Sequence, residues 1–340
     1  MRLTLTIMSA LALLIVPSVA QAQRADLAGQ KITLAIGSAP GGAYDLYGRL
    51  VARHLGNHLP GNPTIVPQNM PGAGNLVALN WLYNVAPKDG TALAIVQNTA
   101  PFENLMGNTN ARFDARRFNW LASLNGYTGI AMVWHSAPFL TAQDLIDRPS
   151  LLGASGATSD VTVWPHLLNE LIGMKTKTVR GYPGTAGTAL ALERGEVQGT
   201  IGEDWDGLKV SKPRWMSEKL IRVLLQLTLT KHPDLADVPL VTDFAKSSET
   251  RLILEFFIAR QQYGRPFIAP PGTPAPLVAA YREAFVKLAN DPQFRREAAL
   301  QQATIDLARG ETLAAFVERL HATRKSILDR AIALTKSVGD

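Results

Sequence analysis

Gly37-Ser38-Ala39-Pro40-Gly41-Gly42-Ala43-Tyr44-Asp45 follows the apolar run Ile32-Thr33-Leu34-Ala35-Ile36 and opens an amphipathic stretch. A strand that feeds a helix through a glycine-rich turn leaves N–H groups free at the positive end of the helix dipole, where an anion fits. The helical period runs through Leu46, Leu50, Val51 and Leu55, which places Asp45, Arg49 and Arg53 on a wetter side. Two downstream loops, residues 153–160 and 181–187, join β-like runs to helical ones in the same way. Together they point to a small anion held among loop tips, although tight turning alone accounts for each loop taken singly.

Working outward, apolar runs alternate with helical patterns through most of the chain, which predicts an α/β fold with largely parallel sheets. The first set of strands is expected at 32–37, 64–67, 91–96 and 120–124. A second set falls at 130–134, 151–155, 177–180, 197–201 and 221–227. The Pro- and Gly-rich segment 264–274 breaks this rhythm, and three helical stretches follow around a short run at 304–308. We therefore expect residues 23–129 and 246–340 to form one discontinuous lobe and 130–245 a second. Two crossings then tie the lobes and leave a cleft at the strand ends.

Residues 1–22 read as a secretory signal, with Arg2, an apolar run from Leu5 to Val16 and a small-x-small site at Ala20-Gln21-Ala22. That run is too short to span a membrane. The expected location is the periplasm. The chain has no cysteine, which excludes a disulfide framework and a thiol nucleophile. Its 34 Lys and Arg against 28 Asp and Glu make a modest surplus without basic blocks, so no nucleic-acid partner is expected.

The inventory for catalysis is thin. Of six histidines only His54 and His58 share i,i+4 spacing, and no glutamate stands between them as a metalloprotease requires. They are read as complementing the negative end of a helix dipole before Pro60. No Gly-x-Ser-x-Gly elbow occurs. Gly72-Ala73-Gly74 lacks the third glycine and the downstream acid of a dinucleotide fingerprint; its glycines are expected to turn the chain and start a helix at Asn75. Arg194-Gly195 reads as a helix stop. No enzyme activity, metal or cofactor is expected. Trp164 and Trp205 read as packing residues, with Trp205 able to line the cleft because it follows the strand-end residues Gly202-Glu203-Asp204.

Five motifs now stand in order: Ala39-Pro40-Gly41-Gly42-Ala43-Tyr44-Asp45, Gln68-Asn69-Met70-Pro71-Gly72-Ala73-Gly74, Ala86-Pro87-Lys88-Asp89-Gly90, Gly181-Tyr182-Pro183-Gly184-Thr185 and Asp237-Val238-Pro239. In this order and spacing they resemble the Bug-type extracytoplasmic solute receptors, the substrate-binding components of tripartite tricarboxylate transporters. The resemblance covers nearly all of the chain from Lys31 on. It implies a periplasmic binding protein of the type II-like architecture, two α/β lobes joined by two crossover strands and closing over one organic acid. The implied partners are that ligand and the membrane permease subunits of a tripartite transporter, with the receptor itself a monomer.

The resemblance also implies where the ligand is held. The loops would contribute Ser38, Ala39, Pro40, Gly41, Gly42, Ala43 and Asp45; Gln97, Asn98 and Thr99; Ser155, Gly156, Ala157, Thr158, Ser159 and Asp160; and Tyr182, Gly184 and Thr185. Asp204 and Trp205 join them as strand-end candidates. Asp160 puts a carboxylate where many relatives present small or neutral groups, and Arg180-Gly181-Tyr182 is longer than the Tyr-Lys-Gly turn of many members. No Lys or Arg lies within residues 37–45 or 153–160. The expected mechanism is therefore that amides near Gly41, Gly42 and Ala43 hold one carboxylate while the second-lobe loops engage the rest. Asp45 and Asp160 either satisfy local N–H groups or accept from a ligand amine or hydroxyl. The alternative function is a ligand-loaded sensor that docks on a membrane receptor.

Overall fold

Apolar side chains at Ile32, Leu34, Ala35 and Ile36 make strand β1 (Lys31–Ile36) a central strand: from Ile32 onward only Thr33 is not fully buried. The computed structural model describes residues 26–155, 159–182 and 184–336, so the expected signal segment lies outside the described residues. The remaining strands are β2 (Thr64–Asn69), β3 (Ala92–Ile95), β4 (Asn119–Ser123), β5 (Gly129–Trp134), β6 (Ser150–Gly153), β7 (Thr176–Val179), β8 (Gly199–Asp204), β9 (Ile221–Leu227), β10 (Pro266–Ala269) and β11 (Ala308–Arg309).

They build two sheets, ordered β11-β4-β10-β3-β1-β2 and β7-β6-β8-β5-β9. The expectation of largely parallel sheets needs correction. β1 runs parallel to β2 and β3, and β6 parallel to β7 and β8, but β10 is antiparallel to both β3 and β4, β11 to β4, and β5 to both β8 and β9. Helical crossovers return a chain in the same direction. β5, which follows β4 through residues 124–128 alone, is under no such constraint.

The chain leaves the first sheet after β4 and comes back at β10. The outward connection is the short segment 124–128; the return is not a bare strand but carries the helix Ser248–Ala259. That helix packs against the helices Asp160–Ile172 and Lys325–Lys336. Its Phe257 meets Trp164 edge-on at 6.5 Å and its Phe256 meets Phe102 at 5.3 Å, so one apolar cluster continues across both sheets. Trp164 is fully buried there, as a packing residue.

β10 falls within the segment read as a break. Pro266 opens the strand, where a missing N–H is tolerated, and all four residues are buried. The C-terminal part holds four helices rather than three, because Asp291 accepts from the Gln293 amide and starts Pro292–Leu300 anew after Ala275–Asn290. Gly310–His321 and Lys325–Lys336 complete it. His54 and His58 do more than face a helix end: His54 bonds Glu297, and His58 Nε2 lies 2.9 Å from Asp291.

Candidate functional site

The loop after β1 enters the helix Ala43–His54 through Gly41, whose φ of +88° suits glycine. Gly48 seats this helix on the sheet; a Cβ there would stand 2.8 Å from Ile36 Cδ1. The same rotation turns Asp45 inward. It is buried rather than on the wet side, because its carboxylate is fully engaged: Oδ2 accepts from the Gly41 N–H at 2.9 Å, and Oδ1 from Arg49 Nε at 2.9 Å and Asn69 Nδ2 at 2.8 Å. Burial pushes this carboxyl up, and the three bonds together outweigh it, holding Asp45 below the ordinary carboxylate range. Of the alternatives open for Asp45, satisfying local donors is the one observed.

Ala39 to Ala43 are exposed, and Gly41, Gly42 and Ala43 line one wall of a cavity of about 330 Å³. Its other walls come from Tyr47, Asn125, the helix Trp205–Ser211, the segment 301–304 and Arg265. Arg265 is the site residue that sequence reasoning missed, since it lies in the segment taken for a loop. β10 starts one residue later and fixes it: the Arg265 N–H donates to Ser123 Oγ at 3.1 Å, and Nη1 to the Gly264 carbonyl at 2.7 Å. The guanidinium lies 4.5 Å from the Tyr44 ring centroid and 5.5 Å from that of Tyr47. Its Nε is buried without a hydrogen-bond partner among the described residues. The only sequence signal was an arginine beside a short apolar run.

Across the cleft β8 ends in two acids. A second cavity, of about 520 Å³, is lined by Glu203 and Asp204 together with Tyr127, Leu192 and Trp215, and shares Asp204, Gly207 and Ser211 with the first. Asp204 accepts from the Thr128 and Gly207 amides, both at 3.1 Å, and so caps the helix Trp205–Ser211. Burial nevertheless raises it to about 6, and raises Glu203, beside Asp204 and Asp160, to about 7. The Tyr127 phenol donates to the Gly202 carbonyl, and burial among these acids drives its pKa well up.

The other expected residues are distributed unevenly. The Gln97 amide donates to Asn75 Oδ1 at 3.4 Å and the Asn98 amide to the Tyr44 hydroxyl at 3.3 Å, while the Thr99 carbonyl accepts from Phe102. Ser155 Oγ donates to Ser159 Oγ at 2.8 Å, and Ser159 to or from Thr162 at 3.0 Å. Asp160 forms an ion pair with Arg260, so its charge is met from within the protein. Gly156, Ala157 and Thr158 lie outside the described residues, as does Pro183. Gly184 and Thr185 open the helix Gly184–Glu193, and the Tyr182 hydroxyl donates to Glu196 at 3.1 Å. Trp205 is buried, with Lys209 over its ring and its indole N–H on Asp234 at 3.3 Å; it lines neither cavity. Ser38 sits behind the first loop, its carbonyl accepting from Asn69, and Pro40 is exposed.

Among the described residues, Asp206, His232 and Asp234 bring metal-type ligand atoms within 4.8 Å of one another. The Lys209 ammonium bonds both acids there, at 2.8 Å from Asp206 and 2.5 Å from Asp234, which fills the place with a cation already.

A family model described as "Tripartite tricarboxylate transporter family receptor", TctC, matches residues 48–330. The chain belongs to this family. The TctC receptors are substrate-binding components. A curated relative, the "UPF0065 protein in gbd 5'region" of Cupriavidus necator, is 26% identical over 291 residues, 82% of this chain and 81% of its own. Among solved structures, a TctC solute-binding protein from Polaromonas is 21% identical, with a TM-score of 0.70 over 88% of this chain and 98% of that one. An R. palustris protein with adipate is 22% identical with a TM-score of 0.58, covering 91% and 97%. MatC from Rhodopseudomonas palustris with bound malate is 19% identical with a TM-score of 0.55, covering 90% and 99%. These likenesses establish the two-sheet binding-protein fold for this TctC-family chain. Among its described residues no helix is long and apolar enough to cross a membrane.

Proposed function

We propose that this receptor captures a small carboxylate in the periplasm and delivers it to the permease subunits of a tripartite transporter. The carboxylate is held between Arg265 and the loop of Gly41, Gly42 and Ala43. Residues 23–129 with 246–340 act as one lobe and 130–245 as the other, closing over the ligand as a monomer. Family membership supports the class of function. Arg265 supports the ligand's charge, and it is the observation that carries the reading.

Magnitudes decide between the guanidinium and the helix end. A helix N-terminus contributes roughly 0.3–1 kcal/mol toward a surface anion. A hydrogen bond to a charged group contributes roughly 1.5–3 kcal/mol, and a forked guanidinium makes two. Stacking on Tyr44 and Tyr47 holds the fork in place before the ligand arrives, so little side-chain entropy is lost on binding. The expectation that dipoles and amides alone hold the anion therefore gives way to one in which Arg265 leads and Gly42 and Ala43 assist. The bound acids named for two of the solved relatives, adipate and malate, agree with that chemistry.

A thermal-shift panel of mono-, di- and tricarboxylates tests it. A ligand at a hundredfold excess over Kd stabilises the folded form by about 2.7 kcal/mol. No shift with any carboxylate, or an undiminished shift in the Arg265→Gln variant, would sink the reading.

A further inference from the structure

Glu203 is left unused by carboxylate capture. It is 9% exposed and lines the larger cavity, and its carboxylate has no hydrogen-bond or ion-pair partner among the described residues. Buried carboxylates are almost always paired, because an unmatched charge in a poorly solvated place is costly. One that faces an open cavity instead awaits a donor from outside.

The neighbouring cations are committed elsewhere. Arg260 is held by Asp160. Lys212, at the cavity wall, is paired with Glu193 at 3.0 Å and lies over the Trp215 ring at 5.1 Å. Arg265 lines the smaller cavity and not the larger one. The field around Glu203 is set by Asp204 and Asp160, and the nearby Tyr127 phenol donates to the Gly202 carbonyl. A second carboxylate on the ligand would meet this acidic end unfavourably; a cation would relieve it. Besides its polar residues, the larger cavity has an apolar wall of Met132, Ala189, Leu192, Leu208 and Trp215. The two cavities are neighbours, with Asp204, Gly207 and Ser211 lining both, so an extended molecule laid across these residues is the ligand shape that would touch both ends.

Resting on the carboxylate reading, we propose that the ligand is an amino-carboxylic acid whose ammonium is separated from its carboxylate by an apolar segment. The carboxylate meets Arg265, the segment lies along Leu192, Leu208 and Trp215, and the ammonium donates to Glu203.

Matched acids that differ only in the far head test this by calorimetry at pH 8: 6-aminohexanoate, adipate and hexanoate, and the eight-carbon set 8-aminooctanoate, suberate and octanoate. The amino member of at least one set is expected to bind at least tenfold tighter than its two partners. In Glu203→Gln that preference should vanish while hexanoate and octanoate keep their affinities, which also reports that the variant is folded. Adipate or the plain acid matching the amino member at both lengths overturns the proposal, as does a preference that survives in Glu203→Gln. If none of the six compounds binds, this proposal fails, while the carboxylate reading stands or falls on the wider thermal-shift panel.

Discussion

Glu203, Asp45 and Arg265 each make a prediction at the scale of one side chain. Burial, then Asp204 and Asp160, lift Glu203 from its ordinary 4.5 to about 7. Between those values the folded protein binds more protons than the unfolded chain, so this group lowers stability as pH rises through the interval. Glu203→Gln should therefore raise Tm at pH 8, by up to about 3 kcal/mol of stability, and leave it unchanged at pH 4. Equal effects at both pH values in thermal denaturation would contradict the assignment. Asp45 has the opposite sign: its folded-state carboxyl lies below the ordinary 3.8. Its contribution is present above that value and fades as pH falls through the folded pKa. Asp45→Asn should cost about 1–2 kcal/mol in urea at pH 7 and progressively less on acidification. Arg265→Gln should weaken carboxylate binding by about tenfold to a hundredfold and also lower Tm somewhat, since the Nη1 bond to the Gly264 carbonyl and the contacts with Tyr44 and Tyr47 go with it.

At the scale of elements, Gly202 decides how β8 meets the helix Asp160–Ile172. Its φ is +104°, and a Cβ would lie 2.8 Å from the Asp160 backbone, which has no flexible end to yield. Gly202→Ala should cost about 2 kcal/mol or more and shift Glu203 and Asp204 with it, lowering ligand affinity as well as the urea midpoint. Much of this layer was legible beforehand. Nine of the eleven described strands are visible as apolar runs, most plainly β3 and β5, where burial on both faces makes the apolar run nearly continuous. β10 is not, since the three apolar residues Phe267-Ile268-Ala269 between Pro266 and Pro270-Pro271 look like a turn until partners are known. Missing β10 hid Arg265, and with it the cationic half of the site. Asp45 was misplaced for a related reason: a carboxylate reads as solvated unless Arg49, Asn69 and the Gly41 amide are seen to surround it. Glu203 and Asp204 were read as strand-end residues, but nothing local in sequence reveals that one of two adjacent acids goes unpaired.

At the scale of the molecule, the Arg260–Asp160 ion pair ties the start of the helix Asp160–Ile172 to the segment returning toward β10. Asp160→Asn removes one charge of this tie. Small-angle X-ray scattering should then give a larger radius of gyration for the ligand-free protein and an unchanged one at saturating ligand; no difference without ligand would mean the pair does not restrain the lobes. The placement of β10 also sets an order of assembly. All strands of the second sheet lie between residues 129 and 227, so it can form as soon as that length has been synthesised. The first sheet cannot, for Ala94 must wait for Ile268 and Ala122 for Phe267. Until the last quarter of the polypeptide emerges from the ribosome, its earliest strands stay split into two unpaired edges. The N-terminal strands thus depend for their closure on a segment well over a hundred residues downstream, whatever the state of the second sheet.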